Sequence, residues 1–447
     1  MEVTSGMKIN DILLRVGLTL AILLSFFLSW KIWTSSVRYE GSTNSSVTSS
    51  TTQTADTKNI DEVFSPTQIF MRNDGQKYLI YNTHDNMTSR FETEIKNWTF
   101  SQPRKLAKMS GKAYTKELAR KNSLQFVYAD NITVNLFESI FKKLKVPLRK
   151  NTTFNRMLIT RKTGRTYLLL LNDKTRQGYQ LRVAGISVQK VNQIIQTANV
   201  KLPVVEKMMN HLPLTYYQKT VDIKPYSYLA SHQSENYFVS NLLDTSNPGS
   251  IDSKENNDET IYSDGVYQRL TVNHKTNQIQ YDDYTSNKKI TNVSDLLTNS
   301  YSELIKIGNP LTNMRYVNYD ENAGTVTYRS YVEGFPIYYQ TDFGAVKVKL
   351  SQSSTTLNFS AYSLQVPVPS TETAVHLPAT QTMLNQLSAA GYKLNEISNI
   401  QIGYRWVKDA DNEQIIDLQP SYYVQYQGEW SEYKDMLNNS QSQTKAG

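Results

Sequence analysis

The longest apolar run lies near the start of the chain, where Ile12 to Trp33 reads ILLRVGLTLAILLSFFLSWKIW. As a helix these 22 positions would extend about 33 Å at 1.5 Å per residue, enough for a bilayer core of about 30 Å. Arg15 and Lys31 stand near its ends, where long cationic side chains reach the headgroups, and Trp30 and Trp33 suit the interface. Lys-Ile-Trp continues the helix without a small-residue cleavage signal, so the pattern predicts an uncleaved single-pass signal-anchor. The tail 1–11 is then cytoplasmic, and the long C-terminal part is extracytoplasmic. Gly17, Ala21, Ser25 and Ser29 recur every four residues, a ridge that lets a second transmembrane helix approach closely. From Ser42 to Thr54 ten of thirteen residues are Ser or Thr, which marks 34–60 as a tether.

Beyond the tether the hydrophobic period shortens. The chain from 61 to 440 predicts an α+β region of antiparallel sheets with few packed helices. At about 150 residues per domain its length divides into three units. These are a basic N-terminal α+β domain at 61–210, a middle one at 211–308 and a C-terminal one at 309–440, before a disordered tail at 441–447. In the first unit, Val134 to Leu144 predicts a helix whose apolar face is Leu136, Phe137, Ile140, Phe141 and Leu144. Phe154–Arg161 and Thr166–Leu171 predict a hairpin turning through Lys162-Thr163-Gly164-Arg165, and Ser187 caps a helix that turns Val188, Val191, Ile194 and Ile195 inward. In the second, 244–260 reads as a polar surface loop, Gly265–Asn273 and Gln278–Tyr284 as strands, and Ser294 as the cap of a helix ending at Gly308. In the third, Met314–Tyr319, Thr325–Tyr331, Phe335–Tyr339 and Ala345–Leu350 predict four strands. A helix from Pro378 to Gly391 and strands at Ile400–Val407 and Tyr422–Tyr426 follow.

Composition narrows the chemistry. The 447 residues contain no cysteine, which excludes disulfides, a thiol nucleophile, Cys-ligated metals and a lipidated N-terminal cysteine. The net charge of +8 conceals an asymmetry: residues 1–210 carry 31 Lys and Arg against 15 Asp and Glu, and the remainder carries 17 against 25. Lys142, Lys143, Lys145, Arg149 and Lys150 form a candidate patch for an anionic partner. A membrane-anchored extracytoplasmic location argues against nucleic acid as that partner.

No P-loop, G-x-G-x-x-G, G-x-S-x-G or H-E-x-x-H occurs, and the five histidines are scattered singly, so no catalytic, cofactor or metal site is assigned. Ser286-x-x-Lys289 and Ser431-x-x-Lys434, with Lys162-Thr163-Gly164, imitate a penicillin-interacting enzyme. The K-T-G run precedes both serines and sits in a hairpin turn, which is the wrong order and place. Asp282 with Asp283 and Asp409 with Asp411 are acid pairs suited to glycoside hydrolysis only by residue type, and read as solvated turns.

Several residue runs taken in order resemble the YycH (WalH) family of membrane-anchored regulators. They are Thr67-Gln68-Ile69-Phe70; Lys145-Val146-Pro147 followed by Phe154-Asn155-Arg156-Met157-Leu158-Ile159; Gly324 to Arg329 with Glu333-Gly334-Phe335-Pro336; Ile400-Gln401-Ile402-Gly403-Tyr404; and Tyr423 to Trp430. The resemblance implies an extracytoplasmic three-domain protein on one N-terminal helix. It also implies association, through transmembrane helices, with a YycI-like membrane protein and with the WalK (YycG) sensor histidine kinase that governs cell-wall metabolism in low-GC Gram-positive bacteria. The expected role is therefore a non-enzymatic accessory regulator. Set against it are an envelope-binding module that holds anionic wall polymer through the basic domain, and a wall hydrolase using paired carboxylates.

Overall fold

The computed structural model describes residues 59–445 apart from 74, 84–85, 142–143, 244–250, 286–287, 309–312, 340–343, 370–371, 410–411 and 413, together with Leu18 and Ser25. Leu18 and Ser25 are helical and exposed; the rest of the 12–33 stretch, with Gly17, Ala21 and Ser29, lies outside the described residues, as does the run Ser42–Thr54. Among the described residues no helix is long and apolar enough to cross a membrane. The described residues from 59 to 445 belong to one compact unit.

The first sheet comprises β1 (Gln68–Asn73), β2 (Gln76–Tyr81), β3 (Thr99–Phe100), β4 (Arg104–Leu106), β5 (Ser123–Thr133), β6 (Thr153–Lys162), β7 (Arg165–Asn172), β8 (Gln177–Ala184), β9 (Val200–Met209) and β10 (Leu212–Tyr217). Its order is β10-β9-β2-β1-β5-β6-β7-β8-β3, with β4 also on β8. The predicted β6–β7 hairpin is present. It turns at Thr163 and Gly164, both with positive φ (47° and 75°), the geometry that matches the twist of flanking strands. Strand alternation sends Ile69, Ile80, Phe126, Met157, Leu168 and Leu170 into one core. Among the helices that cover that face are α2 (Met87–Ile95) and α4 (Val134–Ile140); α1 (Ile60–Val63) precedes the sheet, and α3 (Gly111–Leu118) lies on the opposite face.

Helix α4 stops four residues before the predicted end. The buried Glu138 carboxylate accepts the Val146 backbone N–H at 2.7 Å and pairs with Lys150, which draws the following segment back across the helix end. Leu144 still reaches the core, from an irregular backbone. Ser187 caps α5 (Val188–Gln196) as predicted, accepting from the Lys190 N–H; Val191, Ile194 and Ile195 pack on the core, but Val188 is exposed.

The remaining strands are β11 (Val221–Ile223), β12 (Tyr226–His232), β13 (Asp252–Asn256), β14 (Glu259–Ser263), β15 (Gln268–Asn273), β16 (Gln278–Asp283), β17 (Met314–Asp320), β18 (Thr325–Val332) and β19 (Phe335–Tyr338). They continue with β20 (Ala345–Leu350), β21 (Thr355–Ser360), β22 (Tyr362–Val368), β23 (Val375–Leu377), β24 (Ile397–Lys408), β25 (Ile415–Tyr426) and β26 (Glu429–Glu432). The helices α6 (Glu235–Leu242), α7 (Val293–Lys306), α8 (Thr380–Ala389) and α9 (Tyr433–Lys445) are interspersed. A second sheet runs β13-β14-β15-β16-β21-β20-β18-β19-β24-β25-β12-β22, with β17 on β18 and β26 on β25; β11 pairs with β23 apart from it. Among the described pairs only β19–β24 is parallel. The architecture is a sheet-rich, mainly antiparallel α+β fold.

Two readings change here. The polar stretch predicted as a loop contains the exposed strand β13 and the start of the half-buried β14, an antiparallel pair that extends the sheet outward from β15. Helix α7 is capped by Asn292, whose side chain accepts from the Asp295 N–H, and not by Ser294; Ser294 is buried and its hydroxyl accepts from Asn135 at the start of α4.

Gly403 permits the parallel crossing of β19 and β24. A Cβ built there would lie 2.8 Å from the Pro336 carbonyl oxygen and 2.9 Å from the Tyr338 ring. Gly403→Ala therefore forces the strands apart, and thermal or denaturant unfolding should show a loss of roughly 1–3 kcal/mol. An unchanged midpoint would mean that the crossing opens without cost.

Candidate functional site

The face of the first sheet away from the main core carries charge at its centre. Lys77 on β2, Gln125 on β5, Arg156 on β6 and Glu206 on β9 meet across neighbouring strands. Lys77 is 2% exposed and donates to the Gln125 side-chain oxygen at 2.9 Å and to Glu206. Its Nζ also lies 4.5 Å above the Phe70 ring. Arg156, likewise 2% exposed, grips Asp173 in a fork at 3.1 and 3.0 Å, donates to Gln125 at 2.9 Å, and stands 2.7 Å from Glu206 as an ion pair without hydrogen-bond alignment. Tyr114 of α3 and Asn155 of β6 complete the shell around Asp173. The two cations and two anions balance. Burial pushes the Lys77 ammonium down to about 8, against the Glu206 charge that raises it. Burial would raise Asp173, but the Arg156 guanidinium and the Tyr114 and Asn155 hydrogen bonds hold it below the usual carboxylate range.

This cluster forms part of one wall of a cleft of about 280 Å³ between the two sheets. The first sheet contributes Gln68, Asn155, Arg156, the Asp173–Lys174 turn and residues 212–215 of β10. The second contributes residues 317–319 of β17, Tyr331, residues 334–336, Asn399 to Ile402, Gln425 and Trp430. The hairpin β24–β25 explains the polar floor. Ile400, Ile402, Tyr404, Trp406, Tyr422 and Val424 point into a core, which leaves Asn399, Gln425 and Trp430 in register on the other face. Behind Trp430, Tyr338 lies 5.6 Å away and stacks on Tyr423 at 4.1 Å, with the Arg329 guanidinium 4.3 Å over its ring.

The predicted sites fall elsewhere. Of the basic patch, Lys145, Arg149 and Lys150 are described and exposed, with Lys150 paired to Glu138; Lys142 and Lys143 lie outside the described residues. A different set of cations shares a face: the register aligns Lys162 with Arg165, Tyr167 with Arg182 and Gln180 with Arg104, all four cations exposed. The acid pair Asp282 and Asp283 is not a solvated turn. Both residues are buried on β16, Asp282 accepting from Gln280 and Thr356 and pairing with Arg269, and Asp283 accepting from Thr285. Asp409 accepts from the Asn412 N–H, and Asp411 lies outside the described residues.

Sequence reasoning missed the cleft because its amides, aromatics and paired charges are spread over ten strands and the turns between them. One signal for it was present: the runs at 67–70, 154–159, 333–336, 400–404 and 423–430 all contribute to its walls.

Comparison with known proteins draws on these same regions. The model of the YycH protein N-terminal domain matches residues 12–200, and that of the YycH protein C-terminal domain matches residues 214–439. The crystal structure of YycH from Bacillus subtilis superposes with a TM-score of 0.68 at 15% sequence identity, covering 84% of this chain and 97% of that one, a likeness of fold. Among curated protein sequences none matches. With both halves of the compact unit accounted for by the two domain models, the chain belongs to the YycH family.

Proposed function

We propose that the chain is a non-enzymatic accessory regulator of a sensor histidine kinase of the WalK/YycG type that controls cell-wall metabolism. The observation that carries this reading is the match to both YycH domain models, a regulatory family, along the chain. In this reading the stretch Ile12–Trp33 anchors the protein in the cell membrane with its C-terminal bulk outside, and a YycI-like membrane protein joins the complex. Gly17, Ala21, Ser25 and Ser29 form the helix face that touches the kinase or its companion. Regulation then requires that these contacts differ between two packings of the kinase helices, since a partner that binds both states equally shifts nothing.

Ala21→Leu with Ser25→Leu places bulk on the close-approach face. Co-purification of the kinase from solubilised membranes should fall at least tenfold, and undiminished recovery would overturn the ridge assignment.

One observation favours a second reading, an envelope module for anionic wall polymer: the exposed alignment of Arg104, Lys162, Arg165 and Arg182. Reversing Lys162, Arg165 and Arg182 to glutamate should then release the protein from wall polymer at physiological salt. Equal retention of the variant counts against that reading.

A further inference from the structure

We propose that the cleft between the two sheets binds an uncharged sugar chain. The inference goes beyond kinase regulation and does not depend on it, because this chain alone supplies every wall of the site. The charges in the lining neutralise one another: Asp130 pairs with Lys174 at 2.8 Å, and Asp173 with Arg156 at 3.0 Å. A phosphate polymer or an acidic peptide would find no spare cation among these groups, and burying a charge beside satisfied pairs is costly.

What the cleft offers is amide and aromatic surface. Gln68, Asn318, Asn399 and Gln425 stand around it. Gln425 already accepts from Ser398 and donates to the Gly428 carbonyl, and Asn399 accepts from the Ile400 N–H. Gln68 and Asn318 are therefore the amides that present a donor and an acceptor together, the pairing that a sugar hydroxyl, itself both donor and acceptor, can use. Among the described residues the side chains of Gln68 and Asn318 have no hydrogen-bond partner in the protein. Trp430 supplies a large flat surface against which the C–H face of a pyranose can lie, and Tyr338 and Tyr423 stacked behind it hold it in place before any ligand arrives.

An extended peptide is the competing occupant, and it would bind by adding a strand to an open sheet edge. Of the edge strands that line this cleft, β10, β17 and β26, β10 carries Pro213, which has no N–H to give an added strand. The volume of about 280 Å³ is near the lower end for small-ligand sites and suits a single sugar ring and part of the next, with the remainder of the chain outside.

The test uses the full-length protein in lipid nanodiscs, titrated calorimetrically with triacetylchitotriose, and in parallel with a glycerol-phosphate oligomer and an uncharged tripeptide. Saturable binding of the trisaccharide is expected. It should weaken about tenfold in Trp430→Ala, a change worth about 1.4 kcal/mol, and similarly in the milder pair Gln68→Ala with Asn318→Ala, whose unfolding midpoints should match the parent. The proposal is overturned if the parent does not bind the trisaccharide, if the folded amide pair binds it as tightly as the parent, or if the phosphate oligomer or the tripeptide binds in its place.

Discussion

Replacing Arg156 with methionine is expected to lower folding stability by about 3–5 kcal/mol, the scale for removing one member of a buried ion pair. The side chain is nearly conserved in volume, so the loss is electrostatic. Asp173 loses its fork, and Glu206 keeps only Lys77, which is already held by burial near the edge of its charged range. Chemical denaturation would show a lower midpoint at unchanged slope. Combining Arg156→Met with Asp173→Asn should recover part of the loss, because the double change removes the stranded anion together with its partner. Additive losses would show that the two residues do not act as one unit.

Glu92 on α2 sets a pH dependence of comparable size. Burial first, and then the neighbouring Asp61, push its carboxyl up to about 8 from 4.5, with Arg315 opposing. The folded chain therefore keeps a proton there that the unfolded chain has released. Stability from this group is fully present below about pH 4.5 and is lost as pH rises towards 8, at up to about 1.4 kcal/mol per unit. Glu92→Gln is neutral at every pH. Its stability relative to the parent should climb steadily from pH 5 to pH 8 in denaturation series at fixed salt. Parallel curves for the two proteins would exclude this carboxyl as the titrating group.

Local structure was largely legible. The β6–β7 hairpin follows from apolar alternation interrupted by Thr163-Gly164, and the Ser187 cap from a hydroxyl placed before an amphipathic turn. What could not be read was pairing between distant segments. The 31 cations of the first 210 residues suggested a wholly surface-borne charge, yet they include Lys77 and Arg156, which are paired inside the sheet with Glu206 and Asp173; the excess of +16 is carried by the others. A strand lysine looks the same in sequence whether its partner is water or a glutamate 129 residues away. The cleft was hidden for a related reason. Asn399 and Gln425 have the outward positions of any half-wet hairpin, and only the arrival of Gln68 and Asn155 from the other sheet turns that face into a wall. The helix α4 boundary was missed because a side-chain acceptor, Glu138, displaced the helical continuation.

The position of β12 in the second sheet bears on the order in which the molecule can be assembled. This strand, at 226–232, is held between β25 and β22, and Ser227 donates to Asp417, 190 residues later. At about 5–20 residues per second the ribosome needs roughly 10–40 s to make the intervening chain. Until β22 is made at 362–368 β12 has neither of its neighbours, and until 415–426 it still lacks β25, so it exposes an unpaired edge, an opening for chaperones and proteases. Truncations that stop before 415 should therefore be cleared from cells far faster than those that stop after 426.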